Sequence, residues 1–122
     1  MREEEMHAAL QFVAPGTPLR QALDNVIAGR TGALIAIGDE VGVDSLSNGG
    51  FVIDAPFSPQ RLFELAKMDG AILLDADATR IRRANVHLMP DPSLPTSETG
   101  MRHRTAERVS RQTQALVVSV SQ

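Results

Sequence analysis

Five consecutive apolar residues, Ala33-Leu34-Ile35-Ala36-Ile37, closed by Gly32 and Gly38, restrict the fold more than any other part of this sequence. The run never alternates with polar residues, so a strand made from it must be covered on both faces. Ala71 to Leu74 has the same character, and Ala115 to Val120 repeats it with a single serine. Helical stripes fall between these runs. Thr17-Pro18 caps a helix with apolar positions Leu19, Ala22, Leu23, Val26 and Ile27, ending at Gly29. Ser58-Pro59 opens a second, buried through Leu62, Phe63, Leu65 and Ala66, which stops near Met68-Asp69-Gly70. Helices alternating with short apolar strands predict a single α/β domain, a mixed β-sheet flanked by helices.

The remaining elements follow from local chemistry. A first helix is expected from Glu3 to Val13, stopped by Pro15-Gly16. Residues Asp39 to Gly50 read as irregular or weakly helical, with a turn at Asn48-Gly49-Gly50, and Phe51-Val52-Ile53 as a short strand. Asp75 to Thr79 is a turn short enough to require an antiparallel return strand, Arg80 to Met89. Alternation along that strand places Ala84, Val86 and Leu88 on one face and Arg83, Asn85 and His87 on the other. Pro90, Pro92 and Pro95 stiffen a loop, and a helix is expected from Arg102 to Thr113. The sequence ends directly after the last apolar strand, as a C-terminally truncated domain would.

The chain has 122 residues and a net charge of −3, a size for one domain and a poor balance for a general nucleic-acid coat. It has no cysteine, which excludes disulfides, thiolate catalysis and cysteine-ligated zinc. No apolar run approaches the roughly 20 residues of a membrane span. The acidic start, Met1-Arg2-Glu3-Glu4-Glu5, has no leader-like apolar segment behind it. A cytoplasmic location without membrane association is expected.

Two segments carry the chemistry. A helix start has unpaired N–H groups and partial positive charge, and it favours acidic residues. Here Gly100-Met101 leads instead into Arg102-His103-Arg104. A phosphate would reverse the sign of that misfit, since N–H groups and planar guanidinium forks both suit its oxygens. Solvated surface charge explains the same residues, and Arg104, Arg108 and Arg111 on one face also fit contact with a nucleic-acid backbone. The second segment is Asp69-Gly70-Ala71, where a helix gives way to a buried strand. A routine helix exit through Gly70 explains it, and so does a carboxylate placed to hold a divalent cation. Asp75 and Asp77 fit a hairpin better than a metal pair, and His87 and His7 mark no site. Neither GxxxxGK[ST] nor GxGxxG is present.

Together, in this order and about thirty residues apart, Asp69-Gly70-Ala71 and Arg102-His103-Arg104 resemble the DGA and RHR motifs of diadenylate cyclase domains. The context agrees: Arg30-Thr31-Gly32-Ala33-Leu34-Ile35, Leu65-Ala66-Lys67-Met68, Ala84-Asn85-Val86-His87-Leu88 with Pro90-Asp91-Pro92, and Thr105-Ala106-Glu107-Arg108. The resemblance covers Val13 to the last residue and is nearest to the DNA-integrity scanning (DisA) branch. It implies that residues 1–122 are a catalytic domain fragment that condenses two ATP into cyclic di-AMP with release of two pyrophosphates, using Mg²⁺ or Mn²⁺. Asp69 would hold the metal and activate the ribose 3′-hydroxyl, and Gly70 and Leu88 would border the nucleotide. Met101, Arg102, His103, Arg104 and Thr105 would cradle the triphosphate, with Asp69, Arg102, His103 and Arg104 as the catalytic set.

The resemblance also implies a homo-oligomer, with a head-to-head dimer for catalysis and an octamer in the full-length family, and DNA contact only through a region absent here. Two residues depart from the family pattern: Met101 replaces a small hydroxyl residue and Gln114 a glycine. The alternatives are an ATP-binding fragment without catalysis and a DNA-contacting regulatory domain.

Overall fold

A computed structural model describes residues 13–122. The expected helix from Glu3 therefore lies outside the described residues apart from Val13, and so does His7. The described elements are α1 (Pro18–Gly29), β1 (Ala33–Ile37), α2 (Glu40–Ser45), β2 (Ser47–Asn48), β3 (Phe51–Pro56), α3 (Pro59–Ala66), β4 (Ala71–Leu74), β5 (Arg80–Leu88), α4 (Met101–Gln112) and β6 (Leu116–Val120). The sheet runs β2-β5-β4-β1-β6, with β3 continuing the β2 edge along β5. Only β1 and β4 are parallel; the other pairs are antiparallel, so the sheet is mixed as expected.

The apolar runs are buried on both sides because two cores meet at the sheet. Ala33, Ile35 and Ile37 of β1 and Ile72 and Leu74 of β4 face Leu19, Ala22, Leu23 and Val26 of α1 and Leu62 and Ala66 of α3. The intervening residues, Leu34, Ala36, Ala71 and Leu73, face Ala106 and Val109 of α4 and Val43 of α2. The result is three layers, with α1 and α3 on one face and α4 on the other. Thr17 and Ser58 cap α1 and α3 as expected, their hydroxyls accepting from Arg20 N–H and Arg61 N–H.

Three expectations are corrected. Residues 39–50, expected as irregular or weakly helical, hold a defined short helix, α2. Its start is fixed by Asp39, whose carboxylate accepts from Gly42 N–H at 3.1 Å and from Gln114 N–H at 2.7 Å. Gln114 itself lies outside the left-handed region, so no glycine is needed there.

Second, Phe51–Pro56 is a strand twice as long as expected, crossed by a register shift between Val52 and Ala55.

Third, β5 does not alternate simply. Ala84 packs with α1 and α3, whereas Val86 and Leu88 pack beneath α4. Asn85, at φ 56, adopts the left-handed conformation between them. Ala71 to Leu73 spans two steps of β4 while the partners Val86 to Arg83 span three of β5. That extra residue is a β-bulge, and it moves the following side chains to the opposite face.

Candidate functional site

An open cavity of about 790 Å³ lies at one rim of the sheet, a size typical of small-molecule sites. It collects the amino ends of β1 and β4 and the carboxyl ends of the antiparallel strands β5 and β6. Open α/β sheets usually bind ligands beyond the carboxyl ends of their parallel strands. Here the start of α4 is the anion-friendly element, and α4 begins at the opposite rim from the one that rule names.

Asp69, Gly70, Leu88, Met101, Arg102, His103 and Thr105 all line this cavity, so the two motif segments share one space. Arg104 does not line it. Its Nη1 turns back to donate to Thr99 O at 2.7 Å, holding the chain that leads into α4. The rest of the Arg face is also engaged within the chain: Arg108 Nε donates to Leu94 O at 2.9 Å, and Arg111 pairs with Glu107 at 2.9 Å. Thr96 Oγ1 donates to Glu107, and Asp91 N–H donates to Gln112 Oε1 at 2.5 Å. These contacts clasp the proline-bearing loop onto α4. Hydrogen bonds from Ser93 N–H and the Ser93 hydroxyl, with Arg108 nearby, hold the Asp91 carboxyl below its ordinary value.

The start of α4 differs from those of the other described helices. Its N-cap is Gly100, with no side-chain hydrogen bond, whereas Thr17, Asp39 and Ser58 each cap their helix through a side chain. A side chain at Gly100 would come 3.0 Å from His103 Cδ2, so the ring occupies the place of a cap. Nδ1 of His103 is 2.5 Å from Ser119 Oγ on β6, which orients the imidazole across the helix start. The Arg102 guanidinium lies on the backbone of Gly32, where an added Cβ would sit 2.6 Å from Nη1. Among the described residues Arg102 makes no hydrogen bond or ion pair. Met101 is 77% exposed at the cavity and brings no hydroxyl.

Across the cavity, Asp69 is exposed and its carboxylate has no hydrogen-bond or ion-pair partner among the described residues. Among the described residues it is the one carboxylate side chain lining the cavity. Among the described residues no group of three or more His, Cys, Asp or Glu is placed to hold a metal. Mg²⁺ commonly takes one or two carboxylates and completes its shell with phosphate oxygens and water. Asp69 suits that kind of site.

Gly70 is needed for a reason the helix-exit reading missed. Helix α3 ends at Ala66, four residues earlier, with Lys67 as its C-cap. Gly70 instead has φ 91 and lies against β5: a Cβ there would be 2.8 Å from Asn85 C and 2.9 Å from Val86 N. Gly50, at φ 84, approaches the same bulge from the other side, where an added Cβ would be 2.7 Å from Ala84 O. Asn48, Gly49, Gly50, Asn85 and His87, together with Ser121 and Gln122, also line the cavity. The sequence offered Asn48-Gly49-Gly50 only as a turn, and nothing in it marked that turn as facing Asp69.

A family model described as "DisA bacterial checkpoint controller nucleotide-binding" matches residues 20–122. The chain is 61% identical over 113 residues to the DNA integrity scanning protein DisA of Symbiobacterium thermophilum. That match covers 93% of this chain and 32% of that protein. It is 53% identical over 122 residues to DisA of Carboxydothermus hydrogenoformans, covering 100% of this chain and 35% of that protein. The chain thus spans about a third of the length of these relatives. Among solved structures, a double mutant of DacA from Staphylococcus aureus aligns with TM-score 0.70 and 26% identity, over 98% of this chain and 78% of that one. A protein from Bacillus cereus described as a hypothetical membrane-spanning protein shares the fold at TM-score 0.76 and 22% identity, over 97% of this chain and 62% of that one. No helix among the described residues here is long and apolar enough to cross a membrane.

Proposed function

This chain belongs to the DAC family, the nucleotide-binding domains of DisA bacterial checkpoint controllers, and from that premise we propose that it is the catalytic unit of a diadenylate cyclase, joining two ATP into cyclic di-AMP. One observation carries the reading. A single cavity holds an uncapped helix start bearing Arg102 and His103 and, facing it, a carboxylate that no described group satisfies.

In this reading the triphosphate lies against the open N–H groups at the start of α4, and Arg102, His103 and Thr105 contact its oxygens. Arg104 supports them through Thr99, setting the entry of the chain into the helix. Leu88 and Gly70 border the nucleoside. Asp69 holds Mg²⁺ or Mn²⁺. A cation there supplies charge neutralisation on the phosphate oxygens and eases ionisation of the hydroxyl.

Each ribose 3′-hydroxyl gives up its proton, and its oxygen bonds to the α-phosphorus of the other nucleotide. The bond from that phosphorus to the bridging oxygen breaks, and pyrophosphate leaves. Two such exchanges give one cyclic product and two pyrophosphates. The symmetry of the product calls for two chains head to head, so an isolated chain binds ATP without cyclising it. The octamer and the DNA contacts of the family belong to the longer proteins. The arginine face of α4 does not favour a DNA role here, because Arg104, Arg108 and Arg111 are all bonded within the chain.

Incubation with ATP and Mn²⁺ should yield cyclic di-AMP, with specific activity rising as protein concentration favours pairing. Asp69→Asn should abolish it; full activity in that variant would remove the assigned chemistry. Met101 favours one second reading, an ATP-binding unit without turnover. In that case calorimetry shows ATP binding with no product, and Met101→Thr restores the reaction.

A further inference from the structure

We propose that Asn85 is a positioning residue that fixes Asp69 through its backbone; the inference rests on the nucleotide reading above. Asp69 needs such a device because its carboxylate touches no described side chain that could hold it. Its place is therefore set by the main chain alone. The Asn85 side chain grips that main chain, its Nδ2 donating to Asp69 O at 2.7 Å.

The grip depends on the bulge. Asn85 holds a left-handed backbone at φ 56, which inserts the extra residue into β5 and brings its amide to Asp69 rather than to its own strand. Gly70 and Gly50 close on the same peptide from either side, and both approaches leave no room for a Cβ. Arg83 Nη2 donates to Gly49 O, so the Gly49-Gly50 turn is itself tied to β5. Three segments, the 48–50 turn, the bulge and the Asp69-Gly70 corner, thus move as one piece.

Few residues meet both demands on position 85. Asparagine accepts the left-handed conformation at little cost and also carries an N–H donor. Aspartate accepts the conformation but presents only acceptors to a carbonyl. Glycine keeps the backbone and loses the grip. The site therefore needs asparagine for two separate reasons, and substitution can separate them.

The test compares the parent protein with Asn85→Asp and Asn85→Gly, both of which keep the bulge. Binding of a non-reactive α,β-methylene analogue of ATP is measured by calorimetry with and without Mn²⁺, alongside product formation from ATP. Loss of an outer partner of a metal ligand typically costs 10- to 100-fold. We expect kcat/KM for ATP to fall by about that factor and the Mn²⁺-dependent gain in analogue affinity to shrink similarly. In Asn85→Gly, which adds no charge to the cavity, metal-free affinity should stay within about twofold of the parent, a result that general loosening of the fold would not give. A Mn²⁺ gain equal to the parent's in both variants, or metal-free affinity and Mn²⁺ gain falling together in Asn85→Gly, overturns the role of Asn85. A parent that binds no analogue brings down the nucleotide reading itself, and this assignment with it.

Discussion

Strand β4 is flanked by two aspartates with opposite lives. Asp75, at its carboxyl end, accepts from Thr79 N–H at 2.7 Å, the Thr79 hydroxyl at 2.7 Å and Arg80 N–H at 3.0 Å. Partial burial pushes its pKa up, but these hydrogen bonds outweigh it and the carboxyl sits below its ordinary value. The Asp69 carboxylate, at the amino end, accepts nothing from the described residues, its backbone oxygen alone being held by Asn85. One carboxylate is consumed by the hairpin and the other is left over. The same contrast separates the helix starts: Ser58 caps α3, while α4 opens on bare Gly100. Where the chain closes its own polar groups it is building structure. Where it leaves them open, at one rim and in one cavity, it is prepared for something outside itself.

The contrast breaks if the two aspartates respond alike. Arg102→Ala should weaken ATP binding by roughly 10- to 100-fold, the loss of charge-assisted bonds, and leave the melting temperature nearly unchanged because Arg102 bonds to no described group. Asp69→Asn should likewise spare stability while removing product. Asp75→Asn should do the reverse, costing on the order of 1 kcal/mol in denaturant unfolding with ATP affinity retained. Its pH signature has a fixed sign. A carboxyl with a lowered folded pKa contributes stability above its unfolded pKa and loses it as pH falls through the folded value. Parent stability should therefore decline below the ordinary carboxylate range, and the Asp75→Asn curve should be flatter there.

Ser58→Ala, by losing a cap, should cost about 1 kcal/mol and leave nucleotide binding alone. The smallest effect belongs to Gly100→Ser. A cap there is worth a few tenths of a kcal/mol to the empty protein, while its side chain crowds His103 and weakens the nucleotide complex. Equal ATP affinity in Gly100→Ser would mean that the helix start is not the anion site.

Much of the fold was legible because burial on both faces leaves an unmistakable trace. The runs at 33–37 and 71–74 can be nothing but covered strands, and Thr17-Pro18 and Ser58-Pro59 announce their helices locally. The bulge at Asn85 left no comparable trace. A polar residue between Ala84 and Val86 looks like ordinary alternation, and only the approach of Gly50 and Gly70 in three dimensions explains its backbone. The family resemblance, read from the two motifs, is borne out by the match over residues 20–122. Their meeting in one cavity was implied by that resemblance but not by spacing, since thirty intervening residues fix no distance. Arg104 shows the limit of motif reading: it stands in the motif yet points to Thr99 rather than into the cavity.

The three-layer arrangement has a consequence for charge at long range. Helices α1 and α3 precede parallel strands, so both end at the cavity rim; α4 precedes an antiparallel strand, so it starts there. The negative poles of two helices on one face of the sheet thus confront the positive pole of a third on the other, like the plates of a capacitor with the gap at the cavity. A metal–triphosphate has matching polarity, cation toward Asp69 after α3 and anion toward α4. Within the proposed reading, the helix ends would favour that orientation of the ligand at close range, over about the first or last turn.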